Sequence, residues 1–261
     1  MTLTFLRAVG VTLSVLVLAA PVTAQTPPDD PDRDINFAQP DFTLVALPTT
    51  LRLPKFKSAF RVTHRFTRPL NEGSFGDLAS DLFGLDGGAQ IGLEYRFGIM
   101  RGTQVGIHRT SDRTIQFFGQ HEVLAQGGRS PLTISALATM DGTNNFRDSY
   151  SPALGAVISR TLGEHGALYL EPIWVNNSNQ QPSEVVDDND SVLLGLGARI
   201  RVRPTLYLTV EGVPRVAGYA PDSAQIGFGL EKRSGGHVFQ LVVANGFGTT
   251  IGQVSRGANN T

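Results

Sequence analysis

The chain has 261 residues, among them 29 glycines and no cysteine, and its 22 Lys and Arg nearly balance its 23 Asp and Glu, for a formal net charge of −1. A balance so near zero, without a basic stripe, argues against a nucleic-acid partner, and the missing cysteines leave no disulfide to hold a secreted chain together. The length suits one domain, because all-β barrels often run past roughly 200 residues as a single unit.

The chain opens with MTLTFLRAVGVTLSVLVLAAPVTA: Arg7, an apolar core from Ala8 to Ala20, then the small-residue site Val22-Thr23-Ala24. That order predicts a secretory signal peptide over Met1–Ala24, cleaved after Ala24. Its apolar core is shorter than the ~20 residues that a spanning helix needs. No cysteine follows the site, which excludes a lipoprotein-type anchor. Residues 25–50 are expected to be a flexible leader. The stretch Gln25–Gln39 (QTPPDDPDRDINFAQ) is proline-rich and acidic, and such composition buries too little to order itself. At that length it is too short for a folded plug. The domain proper is expected over residues 51–261.

From Ser58 onward the sequence alternates with a period of two, the pattern of strands with one apolar and one mixed face. Ser58–Arg68 sets Phe60, Val62, His64 and Phe66 against Arg61, Thr63 and Arg65. Gly88–Phe97 sets Ile91, Leu93, Tyr95 and Phe97 against Gln90, Glu94 and Arg96. Thr103–Arg109, Arg113–Ala125, Pro131–Met140, Ser149–Thr161 and Ala167–Asn176 follow the rule, with His108 and Glu122 on the mixed face. In Ser191–Arg203 and Leu206–Val213 the mixed face carries Gly195, Gly197, Arg199, Arg201 and Glu211. Asp222–Lys232, with Glu231, and Gly236–Ala244 complete eleven strands.

Connections alternate. Short ones lie near Gly98–Gly102, Gly127–Ser130, Leu162–Gly166, Arg203–Pro204 and Arg233–Gly236. The others lie near Pro69–Gly87, Thr110–Asp112, Asp141–Asp148, Asn177–Asp190 and Pro214–Pro221, and only the second of these is short. Short turns at one end and long loops at the other mark an outer-membrane barrel. A soluble sandwich or lipocalin-like barrel has the same periodicity. Strand length, an apolar face almost free of charge, and aromatics near strand ends favour the membrane. Those aromatics are Tyr95 and Phe97 at the short-turn end and Phe66, Tyr150 and Trp174 at the long-loop end.

The expected fold is therefore all-β: a transmembrane antiparallel up-and-down barrel of about twelve strands, eleven of them visible. Bacterial single-chain barrels have even strand numbers. The last residues, NGFGTTIGQVSRGANNT, hold no aromatic after Phe247 and, from Thr249 on, only Ile251 and Val254 as apolar residues. A closing strand is expected beyond them; the other possibility is that Phe42–Leu53 (FTLVALPTTLRL) supplies the pairing. Lipid should face the apolar side, and the lumen should be lined by Arg61, Arg65, Glu94, Arg96, His108, Glu122, Arg199, Arg201, Glu211 and Glu231. A serine at Gly197 is then expected to be tolerated, as one more hydroxyl in a wet lumen.

Three stretches, VTHRF (Val62–Phe66), LFGLDGGAQIGLEY (Leu82–Tyr95) and GGHVFQLVVAN (Gly235–Asn245), resemble a family of uncharacterised bacterial outer-membrane β-barrel proteins, defined as a domain of unknown function. The resemblance covers most of the chain after about Leu51 and implies the fold and the location. It brings no activity, substrate or active-site residues. The ending departs from the aromatic-terminated last strand usual in such barrels.

Chemistry is not expected. His64, His121 and His237 alternate toward lipid, and His108 has no serine spaced to lie beside it, so neither a hydrolase triad nor any catalytic residue is assigned. Asp187-Asp188-Asn189-Asp190 lacks the glycine and late glutamate of a calcium loop, so no metal is expected. No cofactor motif is present. Phe75–Phe83 (FGDLASDLF) reads as a short amphipathic helix, packed on the rim or folded into the lumen. The expected partners are the lipid bilayer of the outer membrane and the barrel-assembly machinery. Two functions stay open: passive passage of small polar solutes through a narrow charged lumen, or a structural or partner-binding barrel whose lumen is plugged.

Overall fold

The computed structural model describes residues 36–85, 87–179, 189–219 and 223–258. The expected signal peptide, residues 25–35 of the expected leader, and Asp187 and Asp188 lie outside the described residues.

The strands are β1 (Ser58–Phe66), β2 (Ala89–Met100), β3 (Thr103–Thr110), β4 (Ile115–Leu124), β5 (Thr133–Gly142), β6 (Asp148–Thr161), β7 (Gly166–Val175), β8 (Ser191–Arg203), β9 (Leu206–Val213), β10 (Arg215–Gly218), β11 (Gln225–Ser234) and β12 (His237–Ala244). Short helical turns are α1 (Phe75–Ser80), a 3-10 turn at Leu82–Gly84, α2 (Thr143–Phe146) and α3 (Ile251–Ser255). All twelve of these strands join one sheet, each antiparallel to its neighbours in sequence along β1 to β9, β11 and β12. Among them β10 leaves this path and pairs with β8 instead, placing Gly218 against Ser191. It was not foreseen because it is four residues long and follows Pro214 directly.

The faces divide as the period of two requires. In β8 and β9, Leu196, Ile200, Val202, Leu208 and Val210 are exposed on the outer face, while Arg199, Glu211 and Tyr207 are buried on the inner one. Tyr150 and Trp174 are exposed near strand ends, whereas Tyr95, expected at the short-turn end, is exposed at the middle of β2 because that strand runs on to Met100. The Trp174 indole N–H donates to Asp190 (3.1 Å) and the Tyr150 hydroxyl to the Phe146 carbonyl (3.2 Å), so each ring keeps its polar tip toward the loops. Apart from β10, the strands run from 8 residues in β3 to 14 in β6, around the ~9–11 that a tilted strand needs to cross a bilayer.

At its start the chain corrects the expectation set for it. The described end of the expected leader does not project into solvent. Residues 43–50 are all buried, and Leu44, Val45 and Leu47 are 0 % exposed. Thr49 N–H donates to Phe42 O and Leu44 N–H to Leu47 O, both at 2.8 Å, with a bridge between Thr43 and Pro48. This is a small hairpin with its tip at residues 44–47. It rises from the short-turn end, where Phe37 lies under the Arg201 and Arg233 guanidinium groups (4.5 and 5.4 Å). It returns there through Arg52, paired with Glu122 at 3.1 Å, before β1 begins.

At the other end, Ile251 and Val254 supply no strand. They point inward from α3, which closes the long-loop mouth. Thr250 caps α3 and also bonds to Asp141, Gln253 donates to Asp112 (2.8 Å), and Arg215 donates to Ser255 O (3.0 Å). Among the described residues no ladder joins β12 to β1. Residues 42–53 do not stand between those two strands; they lie inside the sheet and touch both.

Candidate functional site: the filled lumen

The hairpin tip sits where the wall is thinnest. A side chain at Gly197 would strike Leu44 Cδ1, one at Gly195 would meet Leu47 Cδ1 at 2.7 Å, and one at Gly227 would meet Val45 at 2.7 Å. These three inward glycines of β8 and β11 make the space that the tip fills. An inward glycine in an otherwise apolar strand signals close approach of another segment. That is the signal by which the sequence could have disclosed the hairpin.

The tip's polar groups are then matched to the wall. One carboxylate oxygen of Glu211 accepts from three successive amides, Val45, Ala46 and Leu47, at 3.0, 2.9 and 2.8 Å. Such a run of converging N–H groups forms an anion-binding nest. The carbonyls are gripped from other strands. Arg61 and Arg65 of β1 donate to Val45 O (3.0 and 2.9 Å), and Gln240 of β12 donates to Leu44 O (2.6 Å). The two edge strands of the sheet thus hold adjacent residues of one hairpin. Lower down, Gln120 donates to Thr49 O (2.8 Å) and Gln104 to Leu51 O (3.2 Å).

Arg199 is enclosed with its partner. It forms a two-pronged pair with Glu231 (2.7 and 2.8 Å), both side chains being 0 % exposed, and its remaining N–H groups reach Thr43 O (2.6 Å) and Asp41 O (3.3 Å). Glu94 takes Arg96 (2.8 Å) with His108 3.8 Å away, and Arg96 lies over the Phe42 and Phe118 rings. Arg201 pairs with Glu164 (2.9 Å) at the short-turn rim. Of the ten residues expected to line a lumen, most touch the hairpin or one another. Glu171 was not singled out from sequence. It is fully buried, and neither of its oxygens has a hydrogen-bond partner among the described residues.

The inner face is less polar than expected. Leu137, Ala153, Val157, Ile173, Val175, Leu193 and Val213 form a buried cluster with Ala46, Leu47, Ile251 and Val254. Burying a large aliphatic side chain contributes about 1.5–3 kcal/mol, so this inner core is a substantial part of what holds hairpin and α3 in place. A cavity between them, bordered by Thr43, Ala46, Arg96, Phe118 and Ile251, has a volume of about 30 Å³. That is room for one or two water molecules. The expectation for Gly197→Ser is reversed as well: no wet space lies over Gly197, and overpacking Leu44 should cost about 1–3 kcal/mol. Urea unfolding of that variant in lipid vesicles checks this.

His64, His121 and His237 are exposed on the outer face, and His108 is 1 % exposed. No serine hydroxyl bonds to a histidine, and no cluster of metal-ligating side chains occurs, among the described residues. Nor, among them, is any helix long and apolar enough to cross a membrane.

The family model described as membrane bound beta barrel domain (DUF5777) matches residues 41–261. The chain belongs to this family. The match takes in residues 41–50 of the hairpin as well as every described strand. No match was found among curated proteins or among solved structures. Because the DUF5777 barrel is membrane-bound, its outer face meets hydrocarbon. Leu194→Arg, on the outer face of β8 opposite Pro172, should then cost about 2–4 kcal/mol and impair folding into vesicles, read as loss of the heat-modifiable band on gels.

Proposed function

We propose that the chain is a non-conducting barrel of the bacterial outer membrane, serving as a structural or partner-binding element through its long loops. The observation that carries this reading is the lumen. The hairpin at residues 41–50 fills it from the short-turn end and α3 from the other, with a cavity of about 30 Å³ between them. The signal-peptide pattern of Met1–Ala24 and the alternation of short turns with long loops support the outer membrane as the location. Insertion would then use the barrel-assembly machinery. The inward charges are internal ties in this reading, and no catalytic role is assigned to them.

Passage of small polar solutes is the weaker reading, because the hairpin would have to leave Glu211, Arg199 and Gln240 first. The test is single-channel recording in planar bilayers. The unaltered chain should give no conductance steps, and steady open-channel current at neutral pH would overturn the proposal.

A further inference from the structure

The connection between β1 and β2 carries apolar side chains that no other described residue covers. Leu70, Phe75, Leu82, Phe83 and Leu85 are all exposed, Phe75 by 76 %. Single exposed apolar residues are ordinary on any surface, but a contiguous group marks an interaction site. The group here is built. Ser74 and Asp77 form a capping box that starts α1, and the Phe75 and Phe83 rings meet edge-on at 6.0 Å. Phe75 and Leu78 share one face of α1 and Asp77 falls on another, and the chain turns at Leu82 and Phe83, both at positive φ, to bring Phe83 back onto Phe75.

The loop's direction comes from its return to β1. Gly84 is buried, and a side chain there would meet Arg68 Cβ at 2.6 Å and Phe66 Cβ at 3.7 Å. Phe66 belongs to the outer set of β1, two residues beyond the exposed His64. Arg68 is ion-paired with Asp81 and donates to Glu72 O (3.4 Å), which ties the loop at that height. The loop therefore leans against the outer rim of the sheet, while the lumen mouth is closed by α3.

We infer that this loop is an interfacial anchor, with Phe75, Leu82, Phe83 and Leu85 entering the lipid leaflet at the long-loop rim. The occupant is lipid because the patch continues the lipid-facing band at Phe66 instead of standing apart from it. An interfacial helix buries its apolar face about 5–10 Å into the boundary between headgroups and acyl chains. Glu72, Asp77 and Asp81 outnumber Arg68 in this loop, so apolar burial and not charge drives the contact. The contact should thus occur in zwitterionic lipid and withstand salt. It is independent of whether the lumen conducts.

The chain has one tryptophan, so Trp174→Phe frees the fluorescence for a reporter. Phe75→Trp and Phe83→Trp, each in that background, are folded into phosphatidylcholine vesicles carrying bromine on the acyl chains, and folding is verified by heat modifiability. Both reporters should lose emission relative to plain vesicles. The loss should be greater with bromine near the glycerol end than near the methyl end, and unchanged in high salt. Quenching by aqueous iodide with no effect of bromine would overturn the inference by placing the loop in water. Protection from both quenchers would overturn it too, by showing that protein, a partner or a second copy, covers the patch.

Discussion

Glu211→Ala should destabilise the folded chain by about 3–5 kcal/mol and let current through the lumen. The substitution leaves the amides of Val45, Ala46 and Leu47 buried without an acceptor. Each orphaned buried donor costs about 1–3 kcal/mol, and the three are not additive, because the tip can move to relieve them. Relief comes by leaving the wall, so the loss of stability and the appearance of conductance should come together. Glu211→Gln retains an acceptor oxygen and should lose less on both counts. Glu171→Met is the informative contrast. Glu171 is another buried glutamate on the inner face, yet among the described residues nothing bonds to its oxygens, so replacing it with an apolar side chain of similar volume should be neutral or stabilising. Urea unfolding in vesicles and planar-bilayer recording of the three variants check both signs.

Arg199→Ala should cost a comparable ~3–5 kcal/mol, the usual penalty for breaking a buried ion pair from one side. Glu231 would be left 0 % exposed without its cation, and Thr43 O would lose its donor. Arg199→Lys should recover only part of the loss, because an ammonium cannot hold both Glu231 oxygens in a planar fork and still span to two hairpin carbonyls. The midpoint of heat modifiability should fall in the order unaltered chain, lysine variant, alanine variant. Equal midpoints would mean that the pair is not buried in the membrane-embedded protein.

The wall was legible in the sequence because its signal is local. A period of two assigns Arg199 inward and Ile200 outward from their immediate neighbours, and turn lengths follow from the spacing of strands. The filling was not legible because it is long-range. The amides of residues 45–47 meet Glu211 across 164 to 166 positions, and no pattern near either partner names the other. Composition misled as well. The proline-rich, acidic start of the expected leader set the reading for all of residues 25–50, although the apolar stretch Phe42–Leu47 within it needs burial somewhere. The inward Leu137 and Leu193 were the other overlooked sign. A leucine among lumen-facing residues asks for an apolar partner inside, and here Ala46, Leu47, Ile251 and Val254 provide it.

The central claim is that residues 44–47 lie inside the barrel against β11, and a cysteine pair tests it most directly. The chain has no cysteine of its own, so Val45→Cys with Gly227→Cys gives one possible disulfide. A Cβ at Gly227 would stand 3.3 Å from Val45 Cβ, close to the ~3.5–4.5 Å that a disulfide spans. The folded double variant in vesicles should oxidise to an intramolecular crosslink, seen by mass spectrometry of linked peptides, and each single variant should resist a membrane-impermeant maleimide. A double variant that stays reduced under oxidant, with the thiol introduced in place of Val45 freely labelled from the aqueous side, would contradict the account.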